Sequence, residues 1–166
     1  MPFYVVQAAT AGFELKWIAL LLGAQTAGAL ASNALWGWWE DRLGKASLLR
    51  VIACGRIFPP LAVIILTLAP TTGGSVAMGL YIALFLVIGG LANGLTIAVI
   101  GFLMEISPDD RRPAYSGYFN AITAPAFLLP LLAGIIATVA GLNIIFILSA
   151  LAAAMQFFIL ARLRTP

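Results

Sequence analysis

Apolar residues in this chain do not mark one face of each segment. They run almost unbroken for long stretches, separated by short polar ones. About 20 such residues in a helix are needed to cross the hydrocarbon of a bilayer. A helix is also the way a single segment can satisfy its own N–H and C=O groups there. Stretches that meet this length lie at 15–36, 48–69, 76–104, 114–139 and 142–160. They predict an all-α polytopic membrane helix bundle of about five transmembrane helices, a single transmembrane domain over 1–166. The opening residues, with Pro2, Tyr4 and Gln7 and no basic leader, read as the tail of a longer hydrophobic segment or as a short lead-in.

Composition excludes a soluble alternative. Of 166 residues, 63% are hydrophobic and 9% charged, against roughly 25% charged in ordinary globular domains. The charges that remain are placed by side. Arg42, Lys45 and Arg50 fall in one connection, Arg111 and Arg112 in another two crossings later, and Arg162 and Arg164 at the end of the chain. The alternate loops at 70–75 and 140–141 carry no charge, and Glu14 with Lys16 marks the opposite side. Basic residues near helix ends are retained in the cytoplasm. The expected orientation is therefore N-terminus outside and C-terminus cytoplasmic, in a plasma (inner) membrane. The net charge of +3 is not arranged as a basic stripe with aromatics, so nucleic acid is not an expected partner. Histidine is absent and Cys54 is the lone cysteine, which leaves no basis for a metal, a cofactor or a disulfide framework.

The connection at 37–45 reads Gly-Trp-Trp-Glu-Asp-Arg-Leu-Gly-Lys. A tight turn between helices needs glycine where φ is positive or where helices nearly touch, a use that suits Gly37 and Gly44. Asp41 is then held at the membrane surface, where it can face a helix N-terminus or pair with an arginine. At Gly37, Asp41, Arg42, Gly44 and Lys45 the chain resembles the major facilitator superfamily of secondary transporters. Trp39, Glu40 and Ala46 depart from that family's loop pattern and favour its weaker second copy. Two crossings on, Glu105, Ser107, Pro108, Asp109, Asp110, Arg111 and Arg112, followed by Gly117, Asn120, Pro130 and Gly134, resemble another loop and helix of the family. Here Ser107 and Pro108 read as a helix cap with proline in the first turn. The resemblance implies part of a six-helix half-bundle, matching helices eight to twelve or, by repeat symmetry, two to six. It also implies a missing N-terminal half-bundle as partner, a small solute of unknown identity, and a cytoplasmic gating motif of Gly37, Asp41, Arg42, Gly44, Lys45, Glu105, Arg111 and Arg112. For Asp41 the alternative is a solvated carboxylate that only sets topology.

Polar residues within the crossings are the candidates for a substrate path. Arg56 lies just before Pro59 and Pro60, and an ionisable residue within a crossing marks a functional site by default. It can attract an anionic group, pair with Glu105 or Asp41, or simply snorkel to the surface. Gln25 and Asn93 sit near the middle of their helices and serve either as interhelical glue or as substrate contacts. Asn33, Thr96, Asn120 and Thr123 are weaker versions of the same idea. Gly90 with Gly94, and Ala24 with Gly28, have the spacing that lets helices pack closely. With acids confined to loops, no general base or nucleophile pair is in view, and an enzyme is not expected. The expected function is alternating-access transport of a small solute. A non-catalytic membrane subunit or inactive fragment is the alternative.

Overall fold

A computed structural model describes residues 2–68 and 75–162. Helices are the regular elements among those residues, and five helical stretches are long and apolar enough to span a membrane. A short helix α1 (Pro2–Thr10) leads through Gly12 into α2 (Leu15–Leu43). The second crossing is divided into α3 (Lys45–Gly55) and α4 (Phe58–Leu68), and the third is the continuous α5 (Ser75–Ile106). The fourth runs through a 3-10 turn (Asp109–Arg111), α6 (Arg112–Thr123), a second 3-10 turn (Ala124–Leu128) and α7 (Leu129–Ala140). The fifth is α8 (Leu142–Arg162). The uncharged loop expected after the second crossing, at 70–74, and Arg164 lie outside the described residues.

Prolines decide where the crossings break. Pro59 and Pro60 have no N–H, so the carbonyls four residues earlier, of Gly55 and Arg56, lose their helical donors, and the helix parts between them. Pro125 and Pro130 do the same in the fourth crossing, where the tighter 3-10 turn fills the gap.

The first connection is shorter than the residue pattern suggests. α2 continues through Gly37, Asp41 and Arg42, because a helix leaving the bilayer keeps its own hydrogen bonds, and Gly44 alone makes the turn. Gly44 has φ 81° and ψ 159°, a region open essentially to glycine. Gly141 (φ 86°, ψ 162°) joins α7 to α8 with the same single-residue device. Gly37 is different from the turn glycine expected of it. It is helical, and a Cβ there would meet nothing within 4 Å. Ser107 also departs from its expected capping role. Its hydroxyl donates backwards to the carbonyl of Leu103, and Pro108 precedes the 3-10 turn without any side-chain cap.

The central seam is between α2 and α5, which run parallel because they are two crossings apart. Small residues bring the backbones together: Gly28 faces Leu86, Gly89 faces Gln25, and Gly90 faces Ser32. Trp36 donates its indole N–H to the carbonyl of Gly90 at 2.8 Å. α3 closes against this pair through Leu48 and Ile52, which pack with Trp36, Leu91 and Ala98. α8 lies on α3 and α4. At the other end α1 and the connection after it wedge in, with Tyr4 edge-on to Phe146 at 5.1 Å and Phe13 edge-on to Tyr81 at 5.1 Å.

Contacts also show which ends coincide. Glu40 and Lys45 lie against Gly101 near the end of α5, and Leu160 of α8 packs on the cluster that holds Trp36 and Leu48. The basic residues of the first connection, those after α5 and Arg162 therefore gather at one end of the bundle. The fourth crossing has no buried residue among those described, touching α5 through α6 and α8 through α7.

Candidate functional site

The break between α3 and α4 opens a cavity of about 430 Å³ bounded by α1, α4, α5 and α8, within the range of small-molecule sites. Arg56, Tyr4, Ser149 and Gln156 supply its polar groups, and Pro59, Ile88, Leu91, Leu95, Ala152 and Ala153 are among its apolar walls. Arg56 is eleven residues from Lys45, about 16 Å along the crossing at 1.5 Å per residue, roughly half the hydrocarbon thickness.

Arg56 Nη1 donates to Gln156 Oε1 at 3.3 Å. Gln156 precedes Arg162 by six residues, about 9 Å of helix, so the guanidinium, although exposed, is tied part-way along the bundle and not at its basic end. Neither Asp41 nor Glu105 pairs with Arg56. Both are exposed, and ion pairs among the described residues include Lys16 with Glu14, Arg111 with Asp110 and Arg112 with Asp109. None of the residues lining the cavity is acidic. The site therefore carries one positive charge with a neutral partner.

Gln156 and Ser149 were not singled out by the residue pattern. They belong to the stripe Ser149, Ala152, Ala153, Gln156, at the i, i+3, i+4, i+7 spacing of one helix face. That spacing is visible in the sequence. Its meaning depends on which face of an otherwise apolar helix turns inward.

The remaining candidates fall into two other places. Asn93 Nδ2 donates to Asn33 Oδ1 at 2.7 Å and to the Ala29 carbonyl at 3.2 Å, which makes it part of the α2–α5 seam. Gln25 belongs to the same seam through its backbone, which abuts Gly89. Asn93 and Gln25 do not line the cavity, and Asn120 is exposed on α6. Asp41, Arg42, Gly44, Lys45, Glu105, Arg111 and Arg112 sit at the basic end, with Asp41 and Arg42 exposed on the last turn of α2. It is Glu40 whose carboxylate lies against α5, at Gly101. No group of three or more histidine, cysteine, aspartate or glutamate side chains comes together among the described residues.

No family model, no curated protein and no solved structure matches this chain. The chain is a polytopic membrane protein by the length and apolarity of its helices.

Proposed function

We propose that this chain is part of a membrane carrier that moves a small solute by alternating access, with the cavity at the α3–α4 break on the solute path. The observation that carries the proposal is the cavity itself. Tyr4 of α1, Arg56 at the α3–α4 break, and Ser149 and Gln156 of α8 line it part-way along the bundle, next to the break where Pro59 and Pro60 leave carbonyls without helical donors. Polar backbone at that depth is tolerated where it is buried in protein or lines a hydrated space. A broken helix next to a close-packed α2–α5 pair also supplies two bodies able to move against each other. The resemblance of Gly37, Asp41, Arg42, Gly44 and Lys45 to the major facilitator loop supports the same proposal. So does the gathering of Lys45, Glu105, Arg111 and Arg112 at one end, which the positive-inside rule assigns to the cytoplasm. A second half-bundle would supply the other wall of the path.

One feature favours a rival, a membrane subunit without transport: the fourth crossing buries nothing and is free to dock on another helical protein. Cysteine accessibility separates the two. In membranes of cells expressing the full chain with Cys54→Ser, Ser149→Cys should react with a charged, impermeant thiol reagent added from either side. Leu148→Cys, on the neighbouring face of α8, should stay unreactive. A Ser149→Cys variant closed to both sides would overturn the carrier reading in favour of the subunit.

A further inference from the structure

Arg56 leaves the cavity with a charge that nothing in its lining neutralises, and the orientation of its neighbours adds to the same polarity. Arginine can only donate, so the Gln156 side chain must present its oxygen to Arg56, as it does at 3.3 Å, and its NH₂ is left as a further donor. The hydroxyls of Tyr4 and Ser149 are free to rotate and donate as well. Three uncharged donors thus line a cavity that holds one cation, with no carboxylate among the lining residues to accept from them. Facing this polar side are Ile88, Leu91 and Leu95 of α5.

We infer that the cavity binds a small organic monoanion, a carboxylate with an apolar body, its carboxylate held by Arg56 with Gln156 beside it. This rests on the carrier reading for its biological use and names the class of solute. A guanidinium presents paired N–H groups that match the two oxygens of a carboxylate. Charge also selects for valence. A monoanion cancels Arg56 and leaves a neutral complex, whereas a dianion leaves net charge behind and a cation is repelled. The apolar wall on α5 takes the carbon skeleton, which a free inorganic anion lacks.

Benzoate and its uncharged isostere benzamide are the probes, with the purified full chain in detergent at fixed ionic strength. Benzoate should raise the thermal unfolding midpoint in a concentration-dependent way, while benzamide and chloride leave it unchanged. Arg56→Gln should weaken the benzoate response at least tenfold in concentration, and Arg56→Lys, which keeps the charge but loses the fork, should weaken it less. Benzoate should also protect Ser149→Cys from the thiol reagent. Equal effects of benzoate and benzamide, or an undiminished benzoate response in Arg56→Gln, would overturn the inference. The thermal measurement does not depend on a water path. A Ser149→Cys variant that never labels therefore counts against the carrier reading alone, and a labelled variant indifferent to benzoate counts against the anion alone.

Discussion

Gly89 and Gly90 are neighbours on α5 that face α2 in different ways, and replacing each with alanine isolates the close approach of the two helices. At Gly89 an added Cβ would collide with the backbone of α2. It falls onto the Gln25 carbonyl oxygen, 2.8 Å from its carbon and 3.1 Å from the Ala29 nitrogen. At Gly90 it would lie 3.4 Å from Ser32 Cβ and 3.6 Å from the Gly28 carbonyl oxygen, ordinary contact distances. Both substitutions gain the same helix propensity, about 1 kcal/mol, which cancels between them. Backbone cannot swing aside as a side-chain tip can, so Gly89→Ala forces the helices apart. A gap of about 0.5–1 Å forfeits a quarter to a half of the dispersion energy of each pair it separates. Overpacking of this kind costs about 1–3 kcal/mol, so Gly89→Ala should be less stable than Gly90→Ala by about that amount. Separation would also lengthen the Trp36 bond to the Gly90 carbonyl, which moves the result in the same direction. Reversible unfolding by sodium dodecyl sulfate titration in mixed micelles measures the difference. If Gly89→Ala proves as stable as Gly90→Ala, the tight α2–α5 seam described above is wrong.

Other outcomes follow from single contacts. Trp36→Phe removes the indole donor to Gly90 and should cost about 0.6–2 kcal/mol in the same titration, leaving helix content by circular dichroism unchanged. Gly44→Ala places a Cβ where φ is 81° and ψ 159° and should destabilise the α2–α3 turn by about 1–3 kcal/mol, whereas Gly37→Ala, with open space around it, should be neutral or stabilising. In a Cys54→Ser background, Arg42→Cys and Arg111→Cys should label from the same side of the membrane with an impermeant reagent. Labelling from opposite sides would contradict the shared basic end.

The five crossings were legible because lipid imposes a one-dimensional requirement: a long enough apolar run must be a helix, whatever its neighbours. The break at Pro59 and Pro60 was foreshadowed too, since those residues act on their own backbone, whereas the fourth crossing read as one stretch and its 3-10 turn at Pro125 emerges from the structure. The turn at Gly44 was legible for a related reason, although the sequence could not show that α2 keeps its hydrogen bonds through Gly37 and Arg42 before turning. Gly90 was recognisable as a packing residue by its spacing from Gly94, whereas Asn93 read equally as a substrate contact and only its bonds to Asn33 and Ala29 assign it to the seam. Gly89, which meets the other backbone most closely, carries no spacing signal of its own.

What the sequence by itself determined is therefore the set of rods, their order and the side on which their basic caps collect, all set by each segment's own encounter with lipid and water. Tertiary structure decided which face of each rod turns inward. An α8 that is apolar nearly all round does not by itself say which face turns inward, so only its contact with α3 and α4 brings Gln156 to Arg56 and Ser149 to the same cavity. The same lack of amphipathic bias explains why Gln25 and Asn93, the most polar residues of α2 and α5 at mid-depth, join the helix seam while the cavity forms elsewhere. In lipid, packing geometry and not hydrophobicity chooses the interior.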